Sequence, residues 1–167
     1  MFGWQGGLAE PSPEWRGVLG KKSPELQNYR GLYLFRNWQK LDFFVSDVGV
    51  LPTIESHRWT DQASFGTVAN SRNERGYSCK VETISLNDVF LEHFSDSQVD
   101  YMSVDTEGNE LVILESFDFE RFAPKIVTVE HNFTEAQSKL NELFARHKYT
   151  MLYGEQSGFD TWYVRDV

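Results

Sequence analysis

Apolar and polar positions in the second half of the chain switch repeatedly between two periods. Val99 to Val104, Lys125 to Glu130, Tyr149 to Tyr153 and Thr161 to Val164 are short runs rich in aromatic and β-branched residues, the composition of strands. Between them lie stretches with helical spacing. Leu111, Leu114 and Phe117 mark a helix over Gly108 to Phe117, and Ala136, Leu140, Leu143, Phe144 and His147 mark one that Thr134 would cap. Val81 to Ile84 reads as a strand. Ser85-Leu86-Asn87-Asp88 then has the spacing of a capping box, followed by the stripe Val89, Phe90 and Phe94.

The first half is less regular. Gly7-Leu8-Ala9-Glu10 is a short apolar strand closed by an acid. Pro11-Ser12-Pro13 breaks it, with Ser12 placed to cap a helix and Pro13 at its first position, running to about Lys22. Gly31 to Phe35 and Leu41 to Val45 are strand-like. Residues 47 to 78 show no period and carry Gly66, Asn70, Ser71, Asn73 and Gly76, which predicts a long, mobile loop, of a length that in compact domains is often functional, for example as a lid. Strands alternating with helices predict one α/β domain over residues 1–167, a three-layer Rossmann-like fold with a mostly parallel sheet. Gly154 to Gly158 is too short for a crossover helix, so the last strand should be antiparallel.

Composition narrows the partners. Lys and Arg number 16 against 25 Asp and Glu, a formal charge of −9. A nucleic-acid binder needs a basic footprint, so no nucleic acid is expected. The one cysteine, Cys79, excludes an internal disulfide and a Cys-rich zinc site, and suggests a cytoplasmic protein. No apolar run reaches the roughly 20 residues of a membrane span. Met1-Phe2-Gly3-Trp4-Gln5-Gly6-Gly7 lacks the pattern of a secretory signal.

Ligands of open parallel sheets bind at the carboxyl ends of strands. Three such ends carry polar groups: Glu10; Asp105, Thr106 and Glu107; and Glu130, His131 and Asn132. Asp105 directly follows the apolar Val104, where an idle carboxylate would be costly, although an Asp there also suits a helix cap. Glu107 is balanced between an acceptor-side role and the attraction of the helix dipole, which by itself accounts for Glu110. His131 is a candidate base or hydrogen-bond partner. Asp105, Glu107 and His131 also have metal-ligand chemistry, but no spacing rule supports a site, so no metal is expected.

Five segments in this order resemble the FkbM-type methyltransferases. They are Gly3-Trp4-Gln5-Gly6-Gly7-Leu8-Ala9-Glu10-Pro11-Ser12-Pro13, Val81-Glu82-Thr83-Ile84-Ser85-Leu86-Asn87-Asp88, Asp100-Tyr101-Met102-Ser103-Val104-Asp105-Thr106-Glu107-Gly108-Asn109-Glu110, Val129-Glu130-His131-Asn132 and Asp160-Thr161-Trp162-Tyr163-Val164. The resemblance implies the class I methyltransferase sheet, S-adenosylmethionine as cofactor, and a hydroxyl of a sugar or other small molecule as acceptor. By the same resemblance Glu10 and Pro11, together with Asp105, hold the cofactor. Asp105 and His131 are then the candidate bases, with Glu107 positioning the acceptor. The family's opening strand and its Asp-x-Gly-Ala-Asn-x-Gly turn do not occur here. The expectation is an N-terminally truncated domain, with a partner chain able to supply the strand. A non-catalytic methyltransferase-like module is the alternative reading, and a metal-dependent hydrolase using Asp105, Glu107 and His131 a more remote one.

Overall fold

A computed structural model describes residues 6–22, 27–29, 32–34, 40–46, 53–54, 76–95, 98–131, 136–154 and 158–166. The elements in chain order are β1 (Gly7–Ala9), α1 (Pro13–Lys22), β2 (Gln27–Tyr29), β3 (Leu32–Leu34), β4 (Lys40–Ser46), β5 (Thr53–Ile54) and β6 (Gly76–Ser85). They continue with α2 (Leu86–His93), β7 (Tyr101–Val104), α3 (Glu110–Glu115), β8 (Ile126–Glu130), α4 (Ala136–Arg146), β9 (Tyr149–Leu152) and β10 (Asp160–Arg165).

The expected three-layer Rossmann-like fold with one mostly parallel sheet is not what forms. The described strands make three separate sheets, ordered β1-β2, β3-β6-β4-β5 and β7-β8-β10-β9. Of the seven ladders, β1–β2, β3–β6 and β7–β8 are parallel, and the other four are antiparallel. Of that fold expectation, the antiparallel last strand is found: β10 runs against both β8 and β9.

The divergence centres on β6. It begins at Gly76 and spans ten residues rather than the short run Val81 to Ile84, taking the end of the expected 47–78 loop into the sheet. Its first part pairs antiparallel with β4, from Ser46–Gly76 to Lys40–Glu82. Its last three residues pair parallel with β3. Exposed Lys80 and Glu82 alternate with buried Val81 and Thr83, as in a strand with one wet face. On that wet face Lys80 pairs with Asp42 at 2.7 Å. Gly76 is required at the ladder's end, because a Cβ there would collide with the Phe44 ring and the Val45 carbonyl oxygen. β5 also lies within the expected loop; residues 47–52 and 55–75 are outside the described set.

One core joins the two larger sheets. Phe43, Val45 and Val81 cluster with Met102, Val104, Val127 and Val129 and with the helix residues Phe90, Ile113, Leu114, Leu140 and Phe144. Burying each such side chain contributes about 1.5–3 kcal/mol. The α4 stripe is as expected at Leu140, Leu143 and Phe144. Phe144 stacks on Tyr163 of β10 with centroids 3.8 Å apart. Tyr163 keeps its hydroxyl satisfied by donating to Asn141 Oδ1 at 2.7 Å. His147 falls just beyond α4 and stacks on Phe119. The proposed Thr134 cap lies outside the described residues.

Local signals behave as their chemistry dictates. Ser85 caps α2 by accepting the Asp88 N–H at 3.1 Å, and its hydroxyl donates to the Asp88 carboxylate. Pro13 opens α1, but the buried Ser12 hydroxyl has no hydrogen-bond partner among the described residues. The Ser12 N–H instead donates to Glu10 Oε1 at 2.8 Å. α3 is shorter than the expected Gly108–Phe117 helix: it starts only at Glu110, because the backbone at Glu107 and Gly108 is left-handed.

Candidate functional site

β7 and β8 are parallel neighbours, with Val104 opposite Val129 at their last rung. Asp105, the first residue after β7, and Glu130, the last residue of β8 and still paired with Asp160 of β10, therefore lie side by side. A turn carries the chain from Asp105 to α3, with φ of 56° at Glu107 and 114° at Gly108. Glycine takes that conformation at no steric cost; Glu107 does not. The first turn of α3 folds Glu110 back under this loop. Oxygens of Asp105, Glu110 and Glu130 end within 4.8 Å of one another.

Each carboxylate sits in a different environment. Asp105 is exposed. Glu110 is buried, at 7% relative exposure, and accepts from Thr106 N at 2.7 Å, Thr106 Oγ1 at 2.9 Å and Gly108 N at 3.2 Å. Glu130 is half-buried, and its Oε2 is sealed from solvent with no donor among the described residues. Two ionised carboxylates at 4.8 Å repel by roughly 3 kcal/mol at an effective dielectric of about 20. Three cannot all be charged cheaply. Glu130 is the one that holds a proton. Burial first, then the charges of Asp105 and Glu107, lift its pKa from 4.5 to about 9, with Asp105 as its hydrogen-bond partner and Glu110 adding a smaller push. At neutral pH Glu130 is thus a neutral acid beside Asp105.

His131 is placed differently. It is buried, at 5% exposure, and its N–H continues the β8–β10 ladder by donating to the Phe159 carbonyl at 2.9 Å. Its Nε2 lies 3.5 Å from Gln137 Nε2. Burial holds its pKa below the usual histidine range, against an opposing pull from Asp160. It is a neutral imidazole. Glu10 follows β1 in another sheet and braces the turn into α1 through Ser12.

Of the sequence candidates, then, Asp105 and Glu107 belong to the acidic turn facing Glu130, while the interactions described for Glu10 and His131 lie elsewhere. Two members of the cluster, Glu130 and Glu110, were given no catalytic or cofactor role by the sequence. Glu130 carried the signal used for Asp105, an acid closing an apolar strand. Glu110 carried none beyond its dipole-favoured position. The oxygen set Asp105, Glu110 and Glu130 is of a kind that divalent cations use. It differs from the Asp105, Glu107 and His131 set considered for a metal-dependent hydrolase.

The methyltransferase FkbM domain family matches residues 3–160, nearly the whole chain. The chain belongs to the FkbM methyltransferase family. Its function is accordingly of the methyltransferase type. Comparisons with curated proteins and with solved structures gave no significant match. The matched region contains the acidic turn, β8 with Glu130, and Glu10. No helix among the described residues is long and apolar enough to cross a membrane.

Proposed function

We propose that this FkbM-family chain is an S-adenosylmethionine-dependent O-methyltransferase acting on a hydroxyl of a sugar or another small molecule. The observation that carries this reading is the exposed Asp105 carboxylate at the end of a parallel strand, with a neutral acid, Glu130, behind it. The residues suit the cofactor's charge: a sulfonium is a cation, and Asp105 offers it an exposed carboxyl group. Glu10, the acid after β1 that braces Ser12, is the carboxylate proposed for the cofactor's ribose hydroxyls.

S-adenosylmethionine supplies a methyl group already activated on sulfur. The work left to the chain is alignment and proton removal. Transfer of that methyl group to the acceptor oxygen would release the hydroxyl proton, which the chain's own residues would take up. Asp105 is the group placed to take that proton. Glu130, a neutral acid within 4.8 Å, backs Asp105, and Glu107 borders the acceptor. His131 is buried, with its backbone N–H in the β8–β10 ladder, and takes no proton in this reading.

Calorimetry with S-adenosylhomocysteine, and radiolabelled methyl transfer to a panel of glycosides and hydroxylated small molecules, test this. Asp105→Asn should cost about 10²–10⁴-fold in kcat while leaving S-adenosylhomocysteine binding measurable. No binding of S-adenosylhomocysteine by the wild-type chain sinks the proposal.

A further inference from the structure

An acid in the first turn of a helix normally points into water, where the dipole favours it. Glu110 does not. It is buried at the start of α3, and its carboxylate turns back toward the loop that precedes the helix. It accepts from the backbone N–H groups of Thr106 and Gly108 and from the Thr106 hydroxyl. Those donors flank Glu107, whose left-handed backbone an L-residue rarely adopts. The loop conformation is thus disfavoured locally and is held by a charge-assisted clamp four residues on.

We propose that Glu110 is a positioning residue for Asp105: it closes the Thr106–Gly108 turn and so fixes the exposed carboxylate at the end of β7. Asp105 has no rung of its own in the β7–β8 ladder, which ends at Val104. Its backbone is held upstream by that last rung and downstream by Thr106, whose N–H and hydroxyl both go to Glu110 Oε1. Without the clamp, Asp105 would head a loop free to relax the strain at Glu107, and its carboxylate would leave the aligned geometry. Glu110 touches no acceptor in this role and acts only through the turn. The proposal rests on the methyltransferase reading for its kinetic test and on the hydrogen bonds alone for its spectroscopic one.

Glu110→Gln keeps the side chain's size, removes the charge that strengthens all of these bonds, and sets an amide N–H₂ where Oε2 accepts from the Gly108 N–H. In protein with unchanged circular dichroism, kcat should fall at least about tenfold, with S-adenosylhomocysteine affinity and acceptor KM within about twofold. Adding Glu110→Gln to Asp105→Asn should cost less than about twofold more, because both changes remove the same aligned carboxylate. Equal losses in both backgrounds overturn the proposal. Thr106→Val, which deletes one donor, should reproduce part of the loss if Glu110→Gln folds poorly; wild-type kcat in Thr106→Val counts against the clamp. If the wild-type chain transfers no methyl group, the functional reading fails, and amide hydrogen exchange still decides the clamp. Protected Thr106 and Gly108 amides that exchange at least about tenfold faster in Glu110→Gln support it. Unprotected amides in the wild type overturn it.

Discussion

Replacing Glu130 with glutamine should flatten the chain's dependence of stability on pH. In the folded protein burial and the neighbouring charges of Asp105 and Glu107 raise Glu130 to about 9 from an ordinary 4.5. Between those values the folded state holds a proton that the unfolded chain has released. Stability therefore falls as pH rises through that window. Glu130's contribution is complete below about 4.5, declines across the window and is lost above about 9. One proton corresponds to about 1.4 kcal/mol per pH unit. Glu130 is only half-buried, so solvent screening reduces this by roughly half. From pH 6 to pH 8 the wild type should lose about 1–2 kcal/mol that Glu130→Gln retains. Glutamine resembles the protonated acid in shape and likewise carries no charge beside Asp105, so the variant should match or exceed wild-type stability at pH 8. Urea unfolding of both proteins at pH 6, 7 and 8 measures this, with m-values compared to confirm that the same surface is exposed. Parallel stability–pH curves would refute the assignment of the proton to the Asp105–Glu130 pair.

Two further outcomes follow from packing. Gly76→Ala should destabilise the β4–β6 ladder by at least about 2 kcal/mol, since its Cβ meets the Phe44 ring and the Val45 carbonyl; thermal unfolding within 1 °C of wild type would contradict it. Phe144→Ala should cost about 3–5 kcal/mol, because the ring is fully buried and stacks on Tyr163. Denaturant titration should show that loss without a change in the pKa of the acidic cluster, which lies at the other end of the sheet strands.

Much of the architecture was readable locally. The β7–α3–β8 and β8–α4–β9 alternation appears in the periods, because each helix needs one apolar stripe and each buried strand an apolar run. The Ser85 cap was legible because its hydroxyl reaches only three residues along the chain. The sheet organisation was not. Lys80-Val81-Glu82-Thr83 alternates charged residues with ones the fold buries, the mark of a half-wet strand rather than of a fully covered parallel one. Its weight was lost because Gly76 to Ser78, with their polar composition, read as loop.

The candidate site divides along the same line. The sequence alone determined the family, the strand ends that carry acids, and Asp105 as a residue of interest. Those follow from short-range order: an apolar strand, an acid after it, a glycine where the chain must turn. Only the tertiary structure decided which acids meet. Glu110 became the clamp because a left-handed pair at Glu107 and Gly108 turned α3 back on its own entry loop. Glu130 became the neutral acid because β8 lies parallel beside β7 and delivers it to Asp105, 25 residues away in the chain. A carboxyl group's charge is set by its depth and by the charges around it, and neither is written in the order of the residues.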